Sequence, residues 1–425
     1  MDGYISRVVD GELDDLLTGL PAIALEGPKA VGKTETALRR AATTFALDVP
    51  TQVELLAADL ARIDRATPPV LIDEWQRYPP VWDAVRRSVD RDASPGRFLL
   101  TGSAAPATAP THSGAGRIVR LRMRPLSLSE RGLPDPPTVS LTALLAGHQA
   151  AVEGSTRMDL VGYTREILAS GFPAIRPLDV RARRLQLNGY LDRVVDHDFA
   201  EQGHSVRRPT VLRAWLAAYA AATATTAHYN AILSAATPGE AERPTKPTAI
   251  TYRDALARLW LLDPVPGWSP TRNVFTRLSQ SPKHHLADPA LAARLLGVDE
   301  RSLLTGQAVG SWKPRDGALL GQLFESLVAL SVRVYAQAAD ASVAHLRTRN
   351  GDHEIDLIVE RDDRRVLAIE VKLGPTVADR DVTHLRWLST QLGPDLLDAV
   401  VITTGPAAYR RSDGIAVVPA ALLGP

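Results

Sequence analysis

Hydrophobic and polar positions change period several times along this chain, and each change marks an element. In residues 1–20, Ile5, Val8, Val9, Leu13, Leu16 and Leu17 recur at helical spacing, predicting an amphipathic helix beside the first core. The apolar run Ala22-Ile-Ala-Leu25 then stops at a glycine turn, which predicts a buried strand and, after the turn, a helix from Thr34 to about Ala46. Further strands are predicted at Gln52–Leu56, before Asp73, within Gly96–Ser103, and in Arg117–Glu130, where arginines alternate with apolar side chains such as Ile118. Residues 104–116, rich in Ala, Thr, Pro, Gly and Ser, predict a mobile surface loop.

Beyond Leu133–Pro137, a proline-rich linker, the period is helical. Helices are predicted at Tyr163–Ala169 and Leu178–Phe199, around a turn at Gly171–Pro173. Arg181, Arg183, Arg184 and Arg193 form a solvated face, and His197 and His204, read as having no third ligand nearby, are not expected to bind a metal. Three helices at Thr210–Ala222, Tyr229–Ala236 and Ile250–Leu262, followed by a hairpin, have the order of a winged helix. Arg253 and Arg258 are few basic residues for a DNA-reading helix, so a protein contact or a structural role fits equally well. The last part reads as a helix at Gly321–Leu330, a hairpin at His353–Lys372, a helix near Asp379–Leu392, and strands at Ala399–Thr403 and Ile415–Val418. The fold class expected is α/β multidomain: a P-loop domain at 1–132, a helical connector at 133–205, a winged-helix-like domain at 206–275 and a C-terminal α/β domain at 276–425.

Composition narrows the chemistry. The 425 residues carry 49 Lys+Arg against 48 Asp+Glu, so overall charge makes no case for a polyanion-binding surface. There is no cysteine, which excludes disulfides, thiolate metal sites and thiol catalysis. The N-terminus lacks a signal-peptide pattern, and no apolar run approaches the roughly 18 residues of a membrane span. A soluble, cytoplasmic protein with no membrane partner is expected.

The strongest motif is Gly27-Pro28-Lys29-Ala30-Val31-Gly32-Lys33-Thr34, the G-x-x-x-x-G-K-T phosphate loop. Its glycines let backbone N–H groups curl around a polyphosphate, Lys33 reaches the β- and γ-phosphates, and the Thr34 hydroxyl ligates Mg²⁺. The following helix presents its positive end to the same anion. Asp73 and Glu74 end the next predicted core strand, at the edge of a parallel sheet where ligands bind. Asp73 would hold Mg²⁺, and Glu74 would polarise the attacking water. Thr101 and Ser103 either sense the γ-phosphate or merely cap a strand. An arginine of the next strand, with Arg117 as the nucleotide-binding candidate, either reaches a γ-phosphate in its own or a neighbouring subunit or lies on a solvated face.

The strings GPKAVGKT, VLIDEWQRYPPVW, FLLTGS and RLRMRPLSLSE resemble those of prokaryotic AAA-type ATPases that carry a C-terminal domain of unknown function. ASGFPAI, YLDRVVDHDF, ALARLWLLDPVPGW, ADPALAARLLG and EIDLIVERDDRRVLAIEVKLG fit the same family in the same order. One departure is the segment before Asp73, which lacks an acidic strand end. The resemblance implies ATP and Mg²⁺ as cofactors and ATP hydrolysis as the activity.

Asp356…Glu370-x-Lys372, with Glu325 on the preceding helix, is similar to the PD-(D/E)xK nuclease pattern. Asp356 and Glu370 would bind Mg²⁺, and Lys372 would orient water or neutralise phosphate. All four residues are expected to converge. Glu370 and Lys372 share a strand face, and Asp356 joins it if it pairs directly with Glu370, which needs an odd-length loop or a bulge around Asp363. The same charges also fit ordinary hairpin positions, with Glu354 and Glu360 as competing acids, or a nuclease-like scaffold without cleavage. Two functions therefore stay open: an ATP-dependent enzyme acting on DNA, and a nucleotide-controlled switch that contacts DNA or a protein partner without cutting.

Overall fold

The computed structural model describes residues 3–103, 114–147, 150–201, 203, 208–236, 245–270, 280–305, 318–348 and 351–425. His204 and most of the loop expected at 104–116 lie outside these residues, as does the expected boundary at 275.

Short runs of β-branched and apolar residues build the first sheet: β1 (Ala22–Glu26), β2 (Thr43–Ala46), β3 (Val70–Asp73), β4 (Phe98–Gly102) and β5 (Val119–Arg122). The order is β2-β3-β4-β1-β5, and every pairing is parallel. Helices on both faces bury β1, β3 and β4, which explains their unbroken apolar composition. The parallel sense matters for function, because the C-terminal ends of β1 and β3 lie at one edge.

Two local expectations are corrected. The helix after the phosphate loop is only Lys33–Leu38, and Thr43-Thr44-Phe45, β-branched and aromatic, leave it to form β2. Gln52–Leu56 is not a strand; it lies in the helix Pro50–Ala58, where Pro50 opens the first turn and Leu56 alone is buried.

The amphipathic N-terminal helix is Val8–Leu17, with Val9 and Leu13 buried. In the middle of the chain, helices Leu160–Ala169 and Val180–Arg193 lead into a π-helical turn, Val194–Asp198. Helices Pro209–Ala221, Tyr229–Ala235 and Lys246–Arg258 follow, and antiparallel bridges Leu262–Leu286 and Val265–Lys283 make a hairpin-like return. The helix Pro289–Leu296 packs on Pro209–Ala221 and Leu160–Ala169, so residues after 276 join the middle helices. A two-stranded pairing of β6 (Val139–Ser140) with the chain's end returns to this region.

The second sheet contains β7 (Gly267–Trp268), β8 (Ser342–Arg347), β9 (Glu354–Glu360), β10 (Val366–Val371), β11 (Leu396–Thr403), β12 (Tyr409–Arg410) and β13 (Ala416–Pro419), in the order β12-β13-β11-β10-β9-β8-β7; β14 (Leu423–Gly424) is the partner of β6. The helix Ala318–Ala338 covers one face, with Leu323, Phe324, Leu327 and Val332 in the core shared with Leu357 and Ile369. Thr383–Leu392 covers the other, where Leu385 and Leu388 meet Ile358, Ala368 and Val401. Against the expectation that no apolar stretch approaches a membrane span, Ala318–Ala338 is long and apolar enough to cross one, but 67% of its apolar window is buried inside the fold.

Candidate nucleotide site and C-terminal carboxylate pocket

The phosphate loop leaves β1 at Gly27, where backbone from β5 comes close. Met123 N–H donates to Glu26 O at 2.7 Å, and a Cβ on Gly27 would lie 2.1 Å from the Met123 carbonyl oxygen. Gly32, at φ +101°, adopts a left-handed backbone that favours glycine. Arg7, itself buried, braces the loop from outside: its guanidinium donates to Val31 O at 2.8 Å and to Arg124 O at 2.6 Å, and it pairs with Glu130 at 3.0 Å. Lys29 reaches sideways to Asp198 of the π-helical turn, 2.6 Å away.

Lys33 is buried and curls back over the loop, donating to Gly27 O at 2.9 Å and Pro28 O at 2.8 Å. Burial lowers its pKa to about 8, against the pull of Glu74 and Asp73. Thr34 Oγ1 donates to Asp73 Oδ1 at 2.8 Å, and Thr101 Oγ1 donates to the same oxygen. The Thr34 hydroxyl and the Asp73 carboxylate thus stand side by side at the strand ends, a hard-oxygen pair suited to Mg²⁺. Glu74 takes a left-handed backbone, φ +54°, and accepts a hydrogen bond from the Gln76 amide; burial raises its pKa. Ser103 Oγ is buried with no hydrogen-bond partner among the described residues.

Arg117 does not belong to this group. It precedes β5, whose register pairs Ile23 with Val119 and Glu26 with Arg122, so Arg117 lies at the far end of the sheet from Gly27. There it forms an exposed ion pair with Asp90 at 2.8 Å. The arginines at the loop end are Arg122 and Arg124, and both turn to buried Asp263, at 3.1 and 2.9 Å. Arg333 of the Ala318–Ala338 helix joins them at 2.8 Å. Burial pushes the Asp263 carboxyl up, yet the three guanidinium groups hold it far below the carboxylate range. The alternating arginines were visible in the sequence; their common partner, about 140 residues away, was not.

The C-terminal acids have a partner that the sequence pattern did not suggest. The β9–β10 loop, residues 361–365, is odd in length, and Leu357 pairs with Ile369, so register alone would set Asp356 opposite Glu370. Between Ala344–Ile358 and Leu346–Ile355, however, β8 advances two residues while β9 advances three, which puts an extra residue into β9 beside Asp356. Asp356 Oδ2 accepts from Val371 N–H at 2.8 Å, and its Oδ1 accepts from Lys283 Nζ at 2.8 Å. Lys283 also reaches Glu325 at 2.8 Å and Glu354 at 3.4 Å. Glu370 instead pairs with Lys372 at 2.6 Å, and by strand parity both point toward the face of Ala368 and the Thr383–Leu392 helix. Within the expected group Lys283, an unforeseen member, pairs with Glu325 and Asp356, and Lys372 pairs with Glu370, while the charges of Asp356 and Glu370 still act on each other.

Burial, and then the charge of Asp356, raises the pKa of both Glu325 and Glu370. Burial pushes Asp356 the same way, but Lys283 and the Val371 N–H more than offset it, so its carboxyl is held low. The described residues that gather three ligand atoms within 4.8 Å of one another are His197, Asp198 and Glu201; Glu325, Asp356 and Glu370 do not. A third ligand does stand near His197, contrary to the sequence expectation, although Asp198 is already paired with Lys29.

Residues 20–131 match a family described as an AAA domain. Residues 162–302 and 320–423 match two families described as domains of unknown function, DUF8612 and DUF4143. Among curated proteins, the chain is similar to uncharacterized protein Rv2008c of Mycobacterium tuberculosis and uncharacterized protein Mb2031c of Mycobacterium bovis. Each is 27% identical over 409 residues, 94% of this chain and 80% of the relative. Among solved structures it is similar to a Walker-type ATPase of Pyrococcus abyssi, at 13% identity and TM-score 0.39, covering 69% of this chain and 96% of that one.

Proposed function

We propose that the chain is a Mg²⁺-dependent ATPase whose nucleotide state acts as a switch on its helical and C-terminal parts. The observation that carries this is the Thr34–Asp73 bond beside Lys33, at the end of a parallel sheet in a region matching an AAA domain. Mg²⁺, when bound, would supply charge neutralisation for the phosphates, held by Thr34 and Asp73. Lys33 leaves its two loop carbonyls and bonds the phosphate oxygens. Glu74, freed from Gln76, orients water for attack. Thr101 steers Asp73 through their shared hydrogen bond.

The switch reading is favoured over ATP-driven cleavage of DNA by the wiring around the loop. Val31 is tied to Arg7, Lys29 to Asp198, and the Met123 neighbourhood to Asp263 and Arg333, so a shift in the loop strains contacts in other parts of the chain. The winged-helix-like segment and the C-terminal module are then the surfaces that meet a protein or DNA partner. In a steady-state assay with parallel ATP-binding titrations, Lys33→Ala should bind ATP weakly and turn it over poorly. Asp73→Ala should lose Mg²⁺-dependent binding, while Glu74→Gln should keep ATP bound and slow turnover at least a hundredfold, roughly. Normal turnover by Lys33→Ala or Glu74→Gln overturns the assignment.

A further inference from the structure

We infer that Lys283 is a built-in cation standing where a divalent metal would bind between Glu325 and Asp356, so that the C-terminal module is a metal-free core. The inference deepens the switch reading above and rests on it. Lys283 Nζ lies 2.8 Å from Glu325 Oε1, 2.8 Å from Asp356 Oδ1 and 3.4 Å from Glu354 Oε1. Its side chain is 1% exposed, so this is no surface pair that solvent or salt readily parts.

Three features hold the ammonium in place. The Lys283 backbone is locked on both sides by Val265, with N–H···O bonds of 2.9 Å in each direction. The hairpin carrying it starts directly after Asp263, itself pinned by three arginines. Its two nearest acids come from a 21-residue helix and from β9, a strand paired on both sides. Each Asp356 oxygen already accepts a hydrogen bond, one from Lys283 and one from Val371 N–H. Glu370 pairs with Lys372 through Oε1, and its Oε2 is buried with no partner among the described residues. Glu325, Asp356 and Glu370 do not bring three oxygens within 4.8 Å of one another. A divalent ion needs several free oxygens converging at about 2.0–2.6 Å, and this arrangement offers an ammonium instead. A lysine cannot activate water as a metal does, but it can neutralise two buried carboxylates and fasten the hairpin to the sheet.

The test is Mn²⁺ binding by the full, nucleotide-free chain, followed by electron paramagnetic resonance and calorimetry, in wild type, Asp356→Asn, Lys283→Met and Lys283→Met/Asp356→Asn. Wild type and Asp356→Asn should titrate alike. Lys283→Met should gain one Mn²⁺ per chain, and the double variant should lose it again. A wild-type Mn²⁺ site that Asp356→Asn abolishes, or Mn²⁺-dependent cleavage of labelled DNA that requires Asp356, overturns the inference. So does a folded Lys283→Met that gains no site. If Lys283→Met does not fold, the wild-type and Asp356→Asn titrations decide alone. ATP turnover measured on the same wild-type preparation separates the two readings, since its absence counts against the ATPase and leaves the metal result standing.

Discussion

Buried under its own loop, Lys33 donates to two backbone carbonyls, and burial has lowered its pKa to about 8. The unfolded chain holds that proton up to about 10.5, so between these values the unfolded state binds more protons and folding stability rises with pH. Nucleotide binding runs the other way. Phosphate needs the charged ammonium, and above pH 8 the free protein must first take up a proton. ATP affinity should be level from pH 6.5 to about 8 and then fall, approaching tenfold per pH unit. Lys33→Arg, charged throughout, should weaken binding without that slope. A fluorescent-nucleotide titration across pH 7 to 9.5 checks this, and a flat wild-type profile would count against it.

The strand–loop–helix unit depends on how closely β1 and β5 approach. Gly27 admits the Met123 carbonyl, and an added methyl group would collide with it at 2.1 Å. Gly27→Ala should lower stability by about 1–3 kcal/mol through overpacking and lose most ATP affinity. Gly11 is the control: it lies within the helix Val8–Leu17, and an added Cβ meets nothing within 4 Å. Gly11→Ala should raise stability by roughly 0.5–1 kcal/mol and leave ATP binding alone. Thermal unfolding and ATP titration distinguish the pair. The same scale explains the misread second strand. Gln52–Leu56 and Thr43–Ala46 are both short and partly apolar, and period alone does not separate such runs. Pro50 as a helix opener decides the first, and pairing with β3 decides the second.

Asp263 ties the molecule together, joining β5, the hairpin after Lys246–Arg258 and the Ala318–Ala338 helix through Arg122, Arg124 and Arg333. Burial lowers the pKa of Arg333 to about 9 and of Arg122 to about 10, so these cations depend on the one carboxylate between them. Asp263→Asn should cost about 3–5 kcal/mol, because it leaves buried charges without a partner. It should also change ATP affinity, since Arg122-Met123-Arg124 runs beside Gly27. Denaturant unfolding and ATP titration measure both, and an unchanged affinity in a folded variant would show that the cluster does not reach the nucleotide site.

The chain by itself determined what is written in short range. The phosphate loop, the apolar strand ending in Asp73-Glu74, the helical period of Val8–Leu17 and the odd loop between β9 and β10 each depend on neighbours a few residues away. Tertiary structure decided what depends on distant partners. Arg117 and Arg122 look alike in sequence, but parallel register sends one away from the loop and the other toward it. Asp356 and Glu370 take different ion-pair partners, Lys283 and Lys372, and the first of these comes from outside the sheet's hairpin. Lys283 carries no motif at all. Its role arises because a hairpin locked to Val265 delivers an ammonium to two acids from a helix and a sheet, and desolvation leaves those charges no better partner than one another.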